Sequence, residues 1–142
     1  MSDTEVKTGH CLCQAVSFSA PTDNNVVSCH CSMCQRWNGS PQMAVSCGQD
    51  VSFEGEENIS VYRSSDWAER GFCRLCGSHL FYRYEENHYM MLAGLFEDNH
   101  DFKFVTQYFI DNKPSFYSFE NETTCLTSAE IAQMKANANA DN

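Results

Sequence analysis

Cys29-His30-Cys31-Ser32-Met33-Cys34 places three thiols within six residues, and three thiols can hold a metal ion while leaving one coordination position open. Zinc takes four ligands in a tetrahedron with Zn–S distances of about 2.3 Å, and a site with three protein ligands keeps its fourth position for water or substrate. Two cysteine pairs flank this stretch, Cys11-Leu12-Cys13 upstream and Cys73-Arg74-Leu75-Cys76-Gly77 downstream. The downstream pair has the shape of a metal-binding knuckle, because a tight turn relieved by glycine aims both sulfurs at one point.

Two plus two makes a closed four-thiolate zinc site from Cys11, Cys13, Cys73 and Cys76, which saturates the ion and is expected to be structural. Cys29, Cys31 and Cys34 are then the ligands of a second, catalytic-type zinc with a vacancy. Buried apolar cysteines would have no reason to recur at ligand spacing. That plainer reading suits Cys47 and Cys125, which stand alone and read as small hydrophobes, with Cys47 as an alternative fourth ligand of the second site. His30 sits between two candidate ligands on what reads as an extended segment. Its side chain should therefore point away from the sulfurs and either support them or face a substrate. His10 is a weaker version of the same case, and His79, His88 and His100 read as surface or packing residues.

These residues must be positioned by strands. Ala15 to Ala20 alternates apolar and small polar residues, Val26-Val27-Ser28 leads straight into the central cysteines, and Trp37 to Pro41 reads as a loop. Strand patterns recur over Gln42 to Ser46, Val51 to Phe53, Ile59 to Arg63, Leu80 to Tyr84, His88 to Ala93, Phe104 to Ile110 and Ser115 to Phe119. Ser64 to Arg70 reads as a polar connection. The aromatic series Phe102, Phe104, Tyr108, Phe109, Phe116, Tyr117, Phe119 reads as core. Only at the end does the period change: Thr127-Ser128-Ala129-Glu130 has capping-box spacing and predicts one short terminal helix, with residues 136–142 as a frayed tail. The fold class expected is mainly β, with small antiparallel sheets stapled by the four-cysteine zinc site, in a single domain over residues 1–142.

Composition limits the partners. The chain has 142 residues and a formal net charge of −10, which argues against a nucleic-acid backbone or an anionic membrane surface. A chain of this length buries roughly two thirds of its unfolded surface, so metal would add to a core and not replace one. The N-terminal stretch has no apolar signal-like region and no apolar run is long enough to span a bilayer, so a cytoplasmic protein is expected. In a reducing compartment, nine cysteines are better explained by metal than by disulfides.

Three segments together resemble the glutathione-dependent formaldehyde-activating enzyme family, also called the centromere protein V/Gfa domain family: Gly9 to Phe18, Cys29 to Arg36 with Gly39 and Pro41, and Arg70 to Leu80. Ala93 to Asp98 and Ile110-Asp111-Asn112-Lys113-Pro114 extend the resemblance, which covers about residues 8 to 120. It implies a β-tent or sandwich of small sheets, a structural zinc on Cys11, Cys13, Cys73 and Cys76, and a second zinc on Cys29, Cys31 and Cys34. The implied reaction adds glutathione to formaldehyde, giving S-hydroxymethylglutathione, and members are classed as carbon–sulfur lyases in the reverse sense. Gln14 stands where the family's first motif usually has glycine, and Gln107 and Tyr117 stand where His and Trp are common. Arg36 and Arg70 are the candidates to pair with a carboxylate of glutathione. The rival from another class is a zinc-stabilised interaction module without chemistry, a use to which related β-tent proteins put the fold. A redox role for the thiols is disfavoured once zinc claims them.

Overall fold

The computed structural model describes residues 5–140, with the side chains of 139 and 140 outside the description. Eleven strands and two helices follow in the order β1 (Glu5–His10), β2 (Ser17–Thr22), β3 (Asn25–Cys29), α1 (Ser32–Asn38), β4 (Gln42–Gly48), β5 (Ser52–Glu54), β6 (Ile59–Arg63), β7 (Ala68–Cys73), β8 (His79–Tyr84), β9 (His88–Leu92), β10 (Lys103–Tyr108), β11 (Thr124–Leu126) and α2 (Ser128–Ala140). The chain is mainly β, as its alternating patterns predict. Among the described residues no helix is long and apolar enough to cross a membrane.

The described residues divide into two compact units, 5–26 with 43–103, and 27–42 with 104–140. In the first unit, β1 pairs antiparallel with β2 from Glu5↔Thr22 to His10↔Ser17, and β5 joins the other edge of β2. The strands β4, β9, β8, β7 and β6 form an antiparallel run in that order. Val16, Phe18, Ala20, Val45, Leu80, Phe81 and Met91 are buried there. Phe18, Phe53, Phe81, Phe96 and Tyr89 make a chain of tilted and edge-on ring contacts between 5.0 and 6.3 Å. Each fully buried side chain of this size contributes about 1.5–3 kcal/mol, so this aromatic and aliphatic packing gives the unit a core of its own, to which metal would add. Arg83 lies over the rings of Phe81 and Tyr89 and pairs with Glu69 at 2.7 Å.

The second unit is built differently. Its strands run β11, β10, β3, with β10 and β11 parallel. Its buried side chains are mostly polar or sulfur-bearing, namely Ser28, His30, Cys34, Gln42 and Gln107, with Ile131 of α2 the apolar member. Buried polar groups must find partners, so this unit is organised by hydrogen bonds.

Several expectations need correction. Ser115–Phe119 is no strand: Lys113 Nζ donates to the carbonyls of Pro114 and Tyr117, curling the segment where a strand would need those groups for pairing. The Trp37–Pro41 loop is helical through Asn38, and α1 ends at Gly39, whose φ of 70° suits glycine and whose N–H donates to the Gln35 carbonyl at 2.7 Å. The 64–70 connection contains the start of β7, since Ala68 and Arg70 turn inward on a strand whose alternation is masked by polar residues. The terminal helix includes Ala136 to Ala140, so the predicted fraying does not begin at 136; residues 141 and 142 lie outside the described residues. None of the aromatic series expected as core is buried, Phe116 being 81% exposed and the other six half-buried, and Cys125 is exposed where a small core hydrophobe was expected.

Candidate metal centres

The connection from β1 to β2 turns tightly at the first cysteine pair. Cys11 N–H donates to the Val16 carbonyl, Gln14 N–H donates to the Cys11 carbonyl, both at 3.0 Å, and Gln14 adopts a left-handed φ of 66°. The resulting loop brings the sulfurs of Cys11, which is buried, and Cys13, which is exposed, to one side. At the end of β7 the second pair forms a knuckle: Gly77 N–H donates to the Cys73 carbonyl at 2.8 Å with φ of 82°, a conformation open to glycine at no steric cost. Ser78 ties the two loops together. The Leu12 N–H donates to its Oγ at 3.1 Å, and that hydroxyl donates to Cys76 Sγ at 3.2 Å.

The four sulfurs of Cys11, Cys13, Cys73 and Cys76 lie within 4.8 Å of one another, in the first unit. Cys11 Sγ is 3.7 Å from Cys13 Sγ, and Cys13 Sγ is 3.8 Å from Cys73 Sγ. A tetrahedron with metal–sulfur bonds of about 2.3 Å has edges of about 3.8 Å, so these separations fit one central ion. The electrostatics agree. The Ser78 hydroxyl and amide pull the Cys76 thiol down to about 5. On Cys13 the Ala15 amide pulls down, yet burial and the neighbouring thiols of Cys76, Cys11 and Cys73 push it up to about 11. Four thiolates cannot crowd together uncompensated, and a cation held at their centre would supply the missing charge.

In the second unit, Cys29, Cys31 and Cys34 also bring their sulfurs within 4.8 Å of one another. Cys29 ends β3. Cys31 is the N-cap of α1, with extended φ/ψ of −63° and 158°, and its sulfur accepts the Cys34 N–H at 3.3 Å. Cys34 is buried on the first turn of that helix. Hydrogen bonding with Cys31 and Cys34, then burial, drive the Cys29 thiol far above its ordinary value, the mark of three thiols whose charge needs a counter-ion. Both clusters therefore have the donor set and spacing to hold a metal ion, and soft thiolates favour zinc over harder cations.

His30 points away from the sulfurs, as expected, and it is fully buried. Its Nδ1 lies 2.6 Å from Tyr117 Oη, and its Nε2 lies 2.9 Å from Gln107 Oε1 and 3.3 Å from Ser28 Oγ. A substrate-facing role is excluded by that burial. Desolvation lowers its basicity, partly offset by Gln107 and reinforced by Lys113. Gln107 stood out in the sequence as a departure from the family pattern, and Tyr117 as another and as a member of the aromatic series; their shared contact with His30 was not visible there. Lys113 Nζ lies 5.0 Å from the centre of the Tyr117 ring and holds that residue's loop.

Arg36 is exposed in the last turn of α1, whereas Arg70 is 2% exposed on β7 with its guanidinium over the Tyr82 ring at 4.9 Å. Cys47 is buried on β4, where its Sγ donates to the Val45 carbonyl at 3.5 Å and burial pushes its thiol up to about 12. It joins neither sulfur cluster.

With this geometry in view, comparison with known proteins is decisive. The family model described as glutathione-dependent formaldehyde-activating enzyme matches residues 6–112. The chain belongs to this family. A Schizosaccharomyces pombe protein named as an uncharacterized lyase is 40% identical over 126 residues, spanning 87% of this chain and 92% of the relative. A crystal structure of a Rhodobacter sphaeroides protein superposes with a TM-score of 0.55 at 28% identity, covering 63% of this chain and 87% of that one. The match to the formaldehyde-activating family takes in all three cysteine clusters, and together with the lyase-named relative it supports a lyase-type or activating function connected with glutathione.

Proposed function

We propose that the protein is a zinc-dependent carbon–sulfur lyase that forms and cleaves the adduct of a thiol with a small aldehyde, with glutathione and formaldehyde as the pair that family membership favours. The observation that carries this reading is the convergence of three sulfurs, Cys29, Cys31 and Cys34, with the neighbouring imidazole of His30 turned away and engaged elsewhere. Three protein donors leave a tetrahedral ion one position short, which suits a catalytic site; the four donors of Cys11, Cys13, Cys73 and Cys76 leave none, which suits a structural one.

In the synthetic direction the thiol sulfur bonds to the aldehyde carbon, the carbonyl π bond breaks, and the proton lost by the thiol ends on the new hydroxyl oxygen. The lyase direction reverses each change. Zinc, when bound, supplies Lewis acidity and favours the deprotonated form of a thiol at neutral pH. Cys29, Cys31 and Cys34 would hold it, and the α1 N-cap keeps Cys31 aimed inward by tying its sulfur to the Cys34 amide. Arg36, exposed on the same helix, is suited to pair with a carboxylate of a peptide-like thiol, whereas Arg70, buried against Tyr82, is assigned no substrate contact. The thiol and the aldehyde carbonyl thus provide nucleophile and electrophile without an acid–base triad from the chain.

Isothermal titration of zinc-loaded protein with glutathione and with S-methylglutathione tests the reading. Binding of glutathione alone is expected. Equal binding of both would remove the sulfur from recognition and leave the zinc-stabilised interaction module as the better account.

A further inference from the structure

His30 spends every hydrogen-bonding group it has. Besides the ring contacts, its main-chain N–H donates to the Tyr108 carbonyl at 3.0 Å, and its carbonyl accepts from Gln35 Nε2 at 2.6 Å. Gln35 Nε2 also donates to the Asn112 carbonyl at 3.1 Å. The residue between Cys29 and Cys31 is thereby tied to β10, to α1 and to the 110–117 segment.

The partners of the ring tell which way the protons face: an amide oxygen only accepts, so the Nε2 beside Gln107 Oε1, with Ser28 Oγ at 3.3 Å, carries a proton, and the bond lengths agree. Hydroxyl donors make bonds of about 2.5–3.0 Å, and N–H donors centre on about 2.9–3.0 Å. The 2.6 Å contact is that of the Tyr117 phenol donating to Nδ1, and the 2.9 Å contact is that of an Nε2–H donating to Gln107 Oε1. Gln107 is oriented in turn, because its Nε2 donates to Thr123 Oγ1 at 2.9 Å. The donors run one way, from Tyr117 through His30 and Gln107 to Thr123.

We propose that Tyr117 and Gln107 hold His30 as the neutral Nε2–H tautomer, and that His30, fixed in this way, is the positioning residue that keeps the sulfurs of Cys29 and Cys31 facing one point. Successive side chains of an extended segment leave on opposite faces, so anchoring the middle one on one side directs its two neighbours to the other. Rotation of the buried imidazole would break two hydrogen bonds at once and strand polar atoms away from water. This rests on reading Cys29, Cys31 and Cys34 as a metal centre, and it adds to that reading the residues outside the ligand set that determine its strength.

The test uses the full-length zinc-loaded protein, with affinity measured by chelator competition. Gln107→Leu and Tyr117→Phe should each weaken the second zinc about 10- to 100-fold, the usual effect of removing a partner behind the ligands. The zinc held by the four-cysteine site should be retained. Gln107→Glu, which keeps an oxygen acceptor for Nε2–H, should restore affinity towards the wild-type value. Independently of any variant, a long-range 1H–15N spectrum of the wild-type protein should place the His30 proton on Nε2. A proton on Nδ1, or unchanged affinity in both weakening variants, overturns the proposal. Uptake of a single zinc by the wild-type protein would instead overturn the reading of the three thiols as a metal centre, and this proposal with it.

Discussion

The sulfur of Cys13 lies 3.8 Å from the sulfur of Cys73, joining the β1–β2 connection to the knuckle that ends β7 across sixty residues of sequence. That separation is the one a shared ion would require of an exposed thiol and a buried one, and Ser78, bonded to both loops, sits beside them as the latch.

This contact predicts a structural role. Cys73→Ser, or removal of metal with a strong chelator, should destabilise the fold, because the remaining thiolates repel one another and the loops lose their common anchor. A loss of about 3 kcal/mol would lower the Tm by roughly 10 °C for a chain of this size. Thermal melts followed by circular dichroism, with and without chelator, measure it; an unchanged Tm would show that the four sulfurs are not a structural site.

Gln14 carries strain inside the same loop. Its left-handed φ of 66° costs an L-residue roughly 1–2 kcal/mol, whereas glycine pays about 0.5–1 kcal/mol in unfolded-state entropy. Gln14→Gly should therefore stabilise the protein by about 0.5–1 kcal/mol, and Gln14→Val, with a branched Cβ, should destabilise it. Urea titration of the two variants decides the sign.

The capping box at α2 is closed in both directions. Glu130 N–H donates to Thr127 Oγ1 at 3.2 Å, and Thr127 N–H donates to Glu130 Oε1 at 2.9 Å. Thr127→Ala should cost about 1 kcal/mol. The change should appear in denaturant unfolding with the second-centre metal affinity unaltered, since α2 carries none of the three thiols.

Acid should act through Asp111. Its Oδ1 accepts the Ser128 N–H at 2.8 Å at the start of α2, and the Ser128 backbone and hydroxyl hold its carboxyl below the ordinary 3.8. A carboxyl depressed in the folded state stabilises above its unfolded value and loses that contribution as pH falls through the lower folded value. The stability difference between wild type and Asp111→Asn should accordingly be present at neutral pH and shrink below about 3.8. Urea melts at a series of pH values follow it; a difference that stays constant through that range would remove Asp111 from the acid response.

Much of this was legible in the sequence for a simple reason. Metal ligation demands fixed residue types at fixed spacing, so Cys11/Cys13 with Cys73/Cys76, and Cys29/Cys31/Cys34, announce their grouping before any fold is known. The strands with clear alternation, β2, β4, β6 and β8, were legible too. What stayed hidden depended on partners distant in sequence. Helix α1 is seven residues long, too short to show a helical period, and is made by the Cys31 cap and the Gly39 stop. The strand pattern of Ser115–Phe119 was real as a pattern, but Lys113 captures the carbonyls it would have needed. The His30 clamp uses Gln107 and Tyr117, and no local rule links residues 77 and 87 positions away.

The two clusters differ by one thiol. X-ray absorption at the zinc edge of the two-zinc protein counts sulfur neighbours directly. Addition of glutathione should raise the mean sulfur coordination, by filling the position left by Cys29, Cys31 and Cys34, and S-methylglutathione should leave it unchanged. A spectrum already at four sulfurs for every zinc before any thiol is added, or one that does not respond to glutathione, would show that the second site has no position open to a substrate thiol.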